Sequence, residues 1–498
     1  MTAAAAPVGE IPIDSTLGRL VVATTVAGSS VAMLTATVVN VALPTMARDL
    51  GASSAQQQWI INAYLLTISS LILIGGTLGD RYGRLRVYRI GIVWFAVASA
   101  ACALAPDTNT LIVARLFQGV GGALLTPGSL AIIEATLRPD DRGRGVGLWS
   151  GLIGISGALG PLLGGLLVDT SWRAVFLINI PIGLAVLAMS SRLPETSNPE
   201  ARRTPIDWVG AGLTVVALGG ASYALIQGPN SGFVGLPAVA AVLAVMALAG
   251  LIGYEPGHAG AVVPVDLFRV RTFTAANLVT FLVYGAMGAV FFLMPLQLQI
   301  TLGYSPLEAG AVFLPTTVLM LLFSSRAGDY AQRHGPRVPL TLGPLLIATG
   351  MLAFTRVGPG ASYFGAVLPA VLIYGVGLTM AVAPVTSTAL GSVPSERSGA
   401  ASGLNNAVSR TAQLLAVAAI PPLVGLTGGA LADPELLDDG FRTAMVVSAV
   451  LMGAGALAAA VLFAPSLAGG LGTDRAHHPA CPVDGAHPHR TATALRRT

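Results

Sequence analysis

Lysine is absent from this chain of 498 residues, and all 27 of its basic side chains are arginine. Charge of either sign is scarce: 10% of residues carry it, against about 25% in an ordinary soluble domain. That shortage excludes a mostly hydrated surface. Cysteine is nearly missing, with Cys102 inside an apolar run and Cys481 near the C-terminus, which excludes a disulfide framework. A net charge of +4, small and dispersed, argues against a nucleic-acid partner. No G-x-x-x-x-G-K-[ST] run, no zinc-type spacing of His and Cys and no catalytic triad occurs. A nucleotide-binding loop of that type, a zinc site and triad-type enzymatic catalysis are therefore not expected. The first 18 residues carry acidic side chains and no basic one, unlike a cleavable signal. The apolar run after Arg19 is too long for one and reads as a retained helix.

Apolar sequence is abundant, at 54% of residues. A helix needs about 20 apolar residues to cross a bilayer core. Fourteen runs of that kind lie at about 20–43, 57–78, 88–105, 111–133, 145–167, 175–192, 207–227, 235–254, 274–298, 307–325, 338–355, 362–385, 402–425 and 442–464. The fold class is thus an all-α membrane protein. With the N-terminus in the cytoplasm, the clusters Arg81 to Arg89, Arg138 to Arg144, Arg192 to Arg203 and Arg326 to Arg337 all fall inside. The acidic run 433–440 falls outside. That asymmetry follows the positive-inside rule and places both termini in the cytoplasm.

The loop DRYGRLR at 80–86 is echoed by QRHGPR at 332–337, a tight basic turn holding R-x-G. The echo divides the chain into a tail at 1–19, a six-helix bundle at 20–192 and a linker with two inserted helices at 193–273. A second six-helix bundle at 274–464 and a disordered tail at 465–498 complete it. Parallel halves around a midplane site are a transporter architecture. The tail holds His477, His478, Cys481, His487 and His489, whose irregular spacing among Pro and Gly favours disorder over a metal site.

Three segments carry a family resemblance. GTLGDRYGRLR at 76–86 resembles the loop signature of the major facilitator superfamily, LIVARLFQGVGGA at 111–123 its fourth-helix R-x-x-Q-G, and SGALGPLLGG at 156–165 the fifth-helix antiporter signature. LTATVVNVALP at 34–44, SWRAVFLINIPIG at 171–183, VPVDLFRVRTFTAANL at 263–278 and LQLQITLGYSPLEAGAVFLP at 296–315 look like its fourteen-helix drug:proton antiporter branch. The resemblance covers about residues 20–464 and implies proton-driven export of small amphipathic drugs, antibiotics or natural products across a bacterial plasma membrane. The expected partners are the substrate, protons and lipid, for a monomer. An uncoupled facilitator and a transport-inactive sensor or scaffold are the alternatives.

Each candidate residue has a structural reading beside the functional one. Asp80, Arg81, Arg84 and Glu134 form a candidate conformational latch, in which Arg86 and Arg89 are expected only to anchor. Gly157, Gly160, Gly164 and Gly165 make a small-residue face, and Pro161 bends the helix, giving a hinge. Arg115 is either a snorkelling side chain or part of the coupling site. Glu308 follows Ser305 and Pro306 as the N3 residue of a capping box, and is the other coupling candidate. Cavity candidates in the first half are Thr35, Asn40, Asn62, Tyr64 and Asn179. In the second half they are Asn277, Tyr284, Met287, Phe291, Asn405, Asn406 and Arg410. Thr35 stands where cation-exporting relatives commonly have an acid, and no acidic residue lies at mid-membrane. The charges well inside helices, Arg115 and Arg410, are positive, which tilts the substrate toward neutral or anionic compounds.

Overall fold

The computed structural model describes residues 9–196, 205–258, 263–394 and 397–463, and the regular elements among them are helices. The His-containing tail lies outside the described residues. The helices are α1 (Thr16–Leu50), α2 (Ser54–Tyr82), α3 (Arg84–Ala103), α4 (Thr108–Thr136), α5 (Pro139–Val168), α6 (Ala174–Leu177), α7 (Asn179–Ser190), α8 (Trp208–Ser231) and α9 (Leu236–Tyr254). They continue as α10 (Arg271–Leu296), α11 (Pro306–Ala311), α12 (Leu314–His334), α13 (Arg337–Phe354), α14 (Leu368–Gly391), α15 (Ser398–Leu423) and α16 (Pro434–Leu462).

Short polar residues start these helices. Ser15, Ser53, Asp107, Asp207, Ser305 and Asp433 each accept a hydrogen bond from a first-turn backbone N–H of α1, α2, α4, α8, α11 and α16. Those donors have no partner inside the helix, so the caps fix where each one begins. Gly51, Gly232 and Gly335 end α1, α8 and α12 with positive φ, which other residues adopt at a cost.

Twelve helices among the described residues are long and apolar enough to cross a membrane, so this is a multi-pass membrane protein. The sequence predicts fourteen. The apolar stretch Ala174–Ser190 is short and breaks at Ile178. There Pro181 cannot donate to the carbonyl of Leu177. Helix α15 is not among the twelve, because Asn405, Asn406, Arg410 and Gln413 dilute its apolar residues.

Helices α1 to α7 pack mainly among themselves, as do α10 to α16. The pairing scheme recurs: α1 on α5, α2 on α4 and α3 on α4 correspond to α10 on α15, α12 on α14 and α13 on α14. Between the groups, α2 meets α15 and α5 meets α11 and α12. Helices α8 and α9 pair with each other, and α8 leans on α2 and α15.

The group-to-group contacts are dense at the end of the molecule opposite the arginine-rich loops. A Cβ added at Gly165 would stand 2.5 Å from Cα of Leu307, and one at Gly310 would strike the carbonyl of Pro161. Gln299 Nε2 donates to the carbonyl of Val41 at 2.9 Å, and Ser54 N to the carbonyl of Gly428 at 3.0 Å. Toward the arginine-rich end, Gly143, Gly147, Gly151 and Gly154 of α5 have nothing within 4 Å of such a Cβ. Leu321, Leu322 and Phe323 of α12 are exposed there. Between α5 and α12 the molecule is closed at the far end and parted at the arginine-rich end, while α2 stays against α15, where a Cβ at Gly403 would lie 3.0 Å from Leu73 Cδ2.

The described residues before α1 pack against the first group. Ile11 bridges to Leu137, Ile13 N donates to Asp141 Oδ2 at 3.0 Å, and Arg144 pairs with Asp14 at 3.0 Å. Ile11 and Ile13 are buried, and apolar burial holds this segment on the turn between α4 and α5.

Candidate functional site

Helix α4 is rich in glycine on the face toward α2, so the two backbones approach closely. A Cβ at Gly119 would lie 2.7 Å from the carbonyl of Tyr64. This contact carries Arg115 into the protein rather than toward lipid. Arg115 is 1% exposed. Its Nε donates to the carbonyl of Ile60 at 3.0 Å and its Nη1 to Gln118 Oε1 at 2.6 Å. Its guanidinium sits 4.5 Å from the Tyr64 ring centre, a favourable cation–π contact. Snorkelling does not describe this residue.

The network runs on. Gln118 Nε2 donates to Ser99 Oγ at 2.7 Å, Asn179 Nδ2 donates to the same oxygen at 3.3 Å, and Thr35 Oγ1 donates to Asn179 Oδ1 at 3.2 Å. Tyr64 OH donates to the carbonyl of Ala32 at 3.1 Å. Thus Thr35, Tyr64, Arg115 and Asn179, from four helices, form one buried assembly. Ser99 is its node and was not singled out in the sequence; its signal is a lone hydroxyl in the apolar run AVASAACALA.

The second group offers a different surface. Tyr284, Met287 and Phe291 share one half-exposed face of α10 at i, i+3 and i+7. Phe291 packs on Phe313 with ring centres 5.2 Å apart. Arg410 of α15 reaches across to the first group, with Nη2 3.7 Å from Met33 Sδ. Asn406, a turn earlier, is exposed.

Other candidates are tied up or stand apart. Asn405 Nδ2 donates to Asn277 Oδ1 and Thr280 Oγ1, both at 3.0 Å, knotting α15 to α10. Asn40 Nδ2 donates to its own helix at Ala36, and its Oδ1 has no partner among the described residues. Asn62 is fully buried, and neither side-chain atom has a partner among the described residues. Glu308 is exposed and accepts from Ser305 N at 2.8 Å while Ser305 Oγ accepts from Glu308 N at 3.2 Å. It completes the capping box at the far end of the molecule.

At the arginine-rich end Arg84 Nε pairs with Asp80 Oδ1 at 2.6 Å, and Nη1 donates to the carbonyl of Ala131 at 3.0 Å. The expected Arg84–Glu134 contact is not direct. Arg84 and Arg142 both act on Glu134 through space, but the guanidinium of Arg84 is taken by its nearer partner one turn back. Arg81 lies over the Tyr82 ring at 5.6 Å. Glu195, missed in the sequence, accepts from Leu85 N at 2.9 Å, where Gly83 allows its close approach. It satisfies a donor at the start of α3. Nearby, two hydrogen bonds from Arg397 at 2.5 and 3.0 Å hold the Asp266 carboxyl below its ordinary range. Burial raises the Glu255 carboxyl at the foot of α9.

The four candidate hinge glycines divide between two neighbours, with Gly165 facing Leu307 of α11. Gly157 faces Met33, Gly160 faces Thr37 and Gly164 faces Val38, all on α1. One groove of about 500 Å³ lies elsewhere, between α3 and α4 on the outer surface around Trp94 and Phe117. Its walls are apolar and face where lipid would be, so the chemistry belongs to the interior between the two groups. Each Asp or Glu of the described spanning helices sits within two turns of a helix end.

The sequence profile of the Major Facilitator Superfamily matches residues 25–417. The chain is 33% identical over 404 residues to the tetracenomycin C resistance and export protein of Streptomyces glaucescens, covering 80% of this chain and 74% of that one. It is 35% identical over 396 residues to the methylenomycin A resistance protein of Streptomyces coelicolor, covering 79% and 83%. Among solved structures, a bacterial homologue of the human lysosomal transporter Spinster, inward-facing and occupied, matches with a TM-score of 0.64 at 15% identity. That match covers 90% of this chain and 97% of the other. A D-xylose–proton symporter matches with a TM-score of 0.60 at 17% identity, covering 88% and 97%. At those identities the likeness concerns the fold.

Proposed function

Because this chain belongs to the Major Facilitator Superfamily, as a multi-pass transporter with resistance and export proteins as relatives, we propose that it exports small amphipathic organic molecules by alternating access. The observation that carries this reading is a polar interior closed at one end of the molecule and parted at the other. With the arginine-rich end in the cytoplasm of a bacterial plasma membrane, and both termini there, this is the loading state. Two six-helix bundles rock about the α5–α11 contact, with α8 and α9 inserted between them. Helices α6–α7 and α15 cross as well, giving fourteen crossings. The fourteen-helix drug:proton antiporters remain the branch proposed, for a monomer embedded in lipid.

Proton entry energises the cycle in this reading. Arg115 stays protonated, so its part is to set the field for water or a neighbouring group. Glu308, held as a cap, is the weaker coupling candidate. An uncoupled facilitator is the second reading, favoured by the absence of a mid-membrane carboxylate among the described residues. A scaffold that has lost transport is a third, and the assembled network of Thr35, Tyr64, Arg115 and Asn179 speaks against it. Antibiotic and fluorescent-dye accumulation in inside-out vesicles, with and without a proton gradient, tests all three. Accumulation that collapses with the gradient supports antiport. Equilibration independent of it supports the facilitator, and no movement of any compound defeats the exporter reading.

A further inference from the structure

We propose that Arg410 is the anion-binding residue of the transport site, and that the chain exports amphipathic organic monoanions electrogenically. This rests on the exporter reading above and names its substrate class.

The two interior arginines differ. Arg115 is enclosed, with its hydrogen bonds made to Ile60 and Gln118 and its face on Tyr64. Arg410 is half-buried. The acceptor it touches among the described residues is the thioether of Met33 at 3.7 Å, a weak acceptor for a guanidinium. No carboxylate forms an ion pair with it among the described residues. It stands 12 residues into α15, about 18 Å along the axis, which is near the middle of a core about 30 Å thick. Ser402 and Asn406 precede it on the same face at i−8 and i−4, half-exposed and exposed, and give a polar path from the parted end. Its charge bears on Tyr64 from the first group and on Tyr284 from the second.

A guanidinium with an open fork in a medium of low dielectric draws an anion, and its planar donors match a carboxylate or sulfonate. Tyr284 and Met33, both half-buried, supply an aromatic and thioether wall for the apolar body. A bound monoanion neutralises Arg410, so the loaded carrier turns outward with no net charge at the site. The anion leaves, and the empty carrier returns bearing one positive charge. An inside-negative membrane pulls that charge back toward the cytoplasm. One negative charge leaves per cycle, and a potential of 100 mV supports a gradient of about 50-fold. The scheme needs no titrating carboxylate at mid-membrane, and an entering proton would add to the same driving force.

The test uses the full chain in proteoliposomes with two probes, the permanent monoanion pyrene-1-sulfonate and the permanent monocation ethidium. At equal pH, a lumen-positive potassium diffusion potential should accumulate pyrene-1-sulfonate, whereas a lumen-negative one of the same size should not accumulate ethidium. Arg410→Gln should lower that accumulation at least tenfold, and Arg410→Lys should restore part of it. Binding of pyrene-1-sulfonate to detergent-solubilised protein should weaken at least tenfold in Arg410→Gln at an unchanged melting temperature. Accumulation of ethidium instead, or undiminished anion transport in Arg410→Gln, overturns the proposal and leaves the exporter reading standing. Transport of neither probe under a potential or a pH gradient overturns both. A pH gradient at zero potential that moves nothing, beside a full response to potential, removes proton antiport and supports the anion site.

Discussion

At the residue scale, position separates the two arginines more than identity does. Arg115→Ala should abolish accumulation in vesicles, because it dissolves the network joining Tyr64, Gln118, Ser99, Asn179 and Thr35. It also leaves Gln118 Oε1 with only the weak Cys102 thiol donor at 3.9 Å, at a cost of about 1–3 kcal/mol. Full transport by that variant would remove Arg115 from the mechanism. Thr35→Asp places a carboxylate beside Asn179 at a 1% exposed position. Desolvation opposes its charge there, and ethidium uptake above wild type is the expected outcome. Unchanged ethidium exclusion would mean that the cavity's charge is set elsewhere. The sequence made Arg115 visible near the outer end of its helix, and Arg410 and Thr35 deeper inside theirs. It could not say which arginine was satisfied, since that depends on Ile60 of α2 and Met33 of α1, far away in the chain. Ser99 was invisible for the same reason: a single serine in an apolar run is usually bonded to its own helix.

At the element scale, small residues and caps do most of the placing. Gly165→Val would put two methyl groups where Cα of Leu307 lies 2.5 Å from an added Cβ, so the far ends of α5 and α11 should separate. Increased thiol labelling of a cysteine at Thr301 would register that opening, and unchanged labelling would place the closure elsewhere. Glu308→Gln keeps the capping geometry, since Gln serves at N3 of a capping box as Glu does. Transport should persist within about twofold, RT ln 2 being roughly 0.4 kcal/mol. Loss of proton dependence in Glu308→Gln would instead make Glu308 a proton carrier. The capping box was legible from Ser305-Pro306-Leu307-Glu308, because capping is local in sequence. The latch was legible only in part. Asp80, Arg84 and Glu134 do gather at one end of the molecule, but the nearer carboxylate holds Arg84.

At the scale of the whole molecule, the all-helical membrane fold was legible because apolar run length is its direct cause. The helix count was less so. The break near Pro181 leaves Ala174–Ser190 shorter than the other spans, and polar side chains along α15 leave it less apolar than the other twelve. Cysteines at Ser171 and Ser191 should label from opposite faces of the membrane, as should cysteines at Ser392 and Thr427. Same-side labelling of either pair would reduce the crossings below fourteen. The parted state was not legible at all, since one sequence must encode both members of an alternating pair.

The central claim is that the two groups rock about a closed far end, and distance measurements between paired spin labels test it most directly. Labels at Ser150 and Ser325 report the parted end, and labels at Thr170 and Gly303 the closed end. Reconstituted in lipid with an imposed potential and pyrene-1-sulfonate, a second population should appear in which the first distance shortens and the second lengthens together. Two distances that stay fixed under every gradient and ligand, or that change independently of one another, would contradict alternating access in this protein.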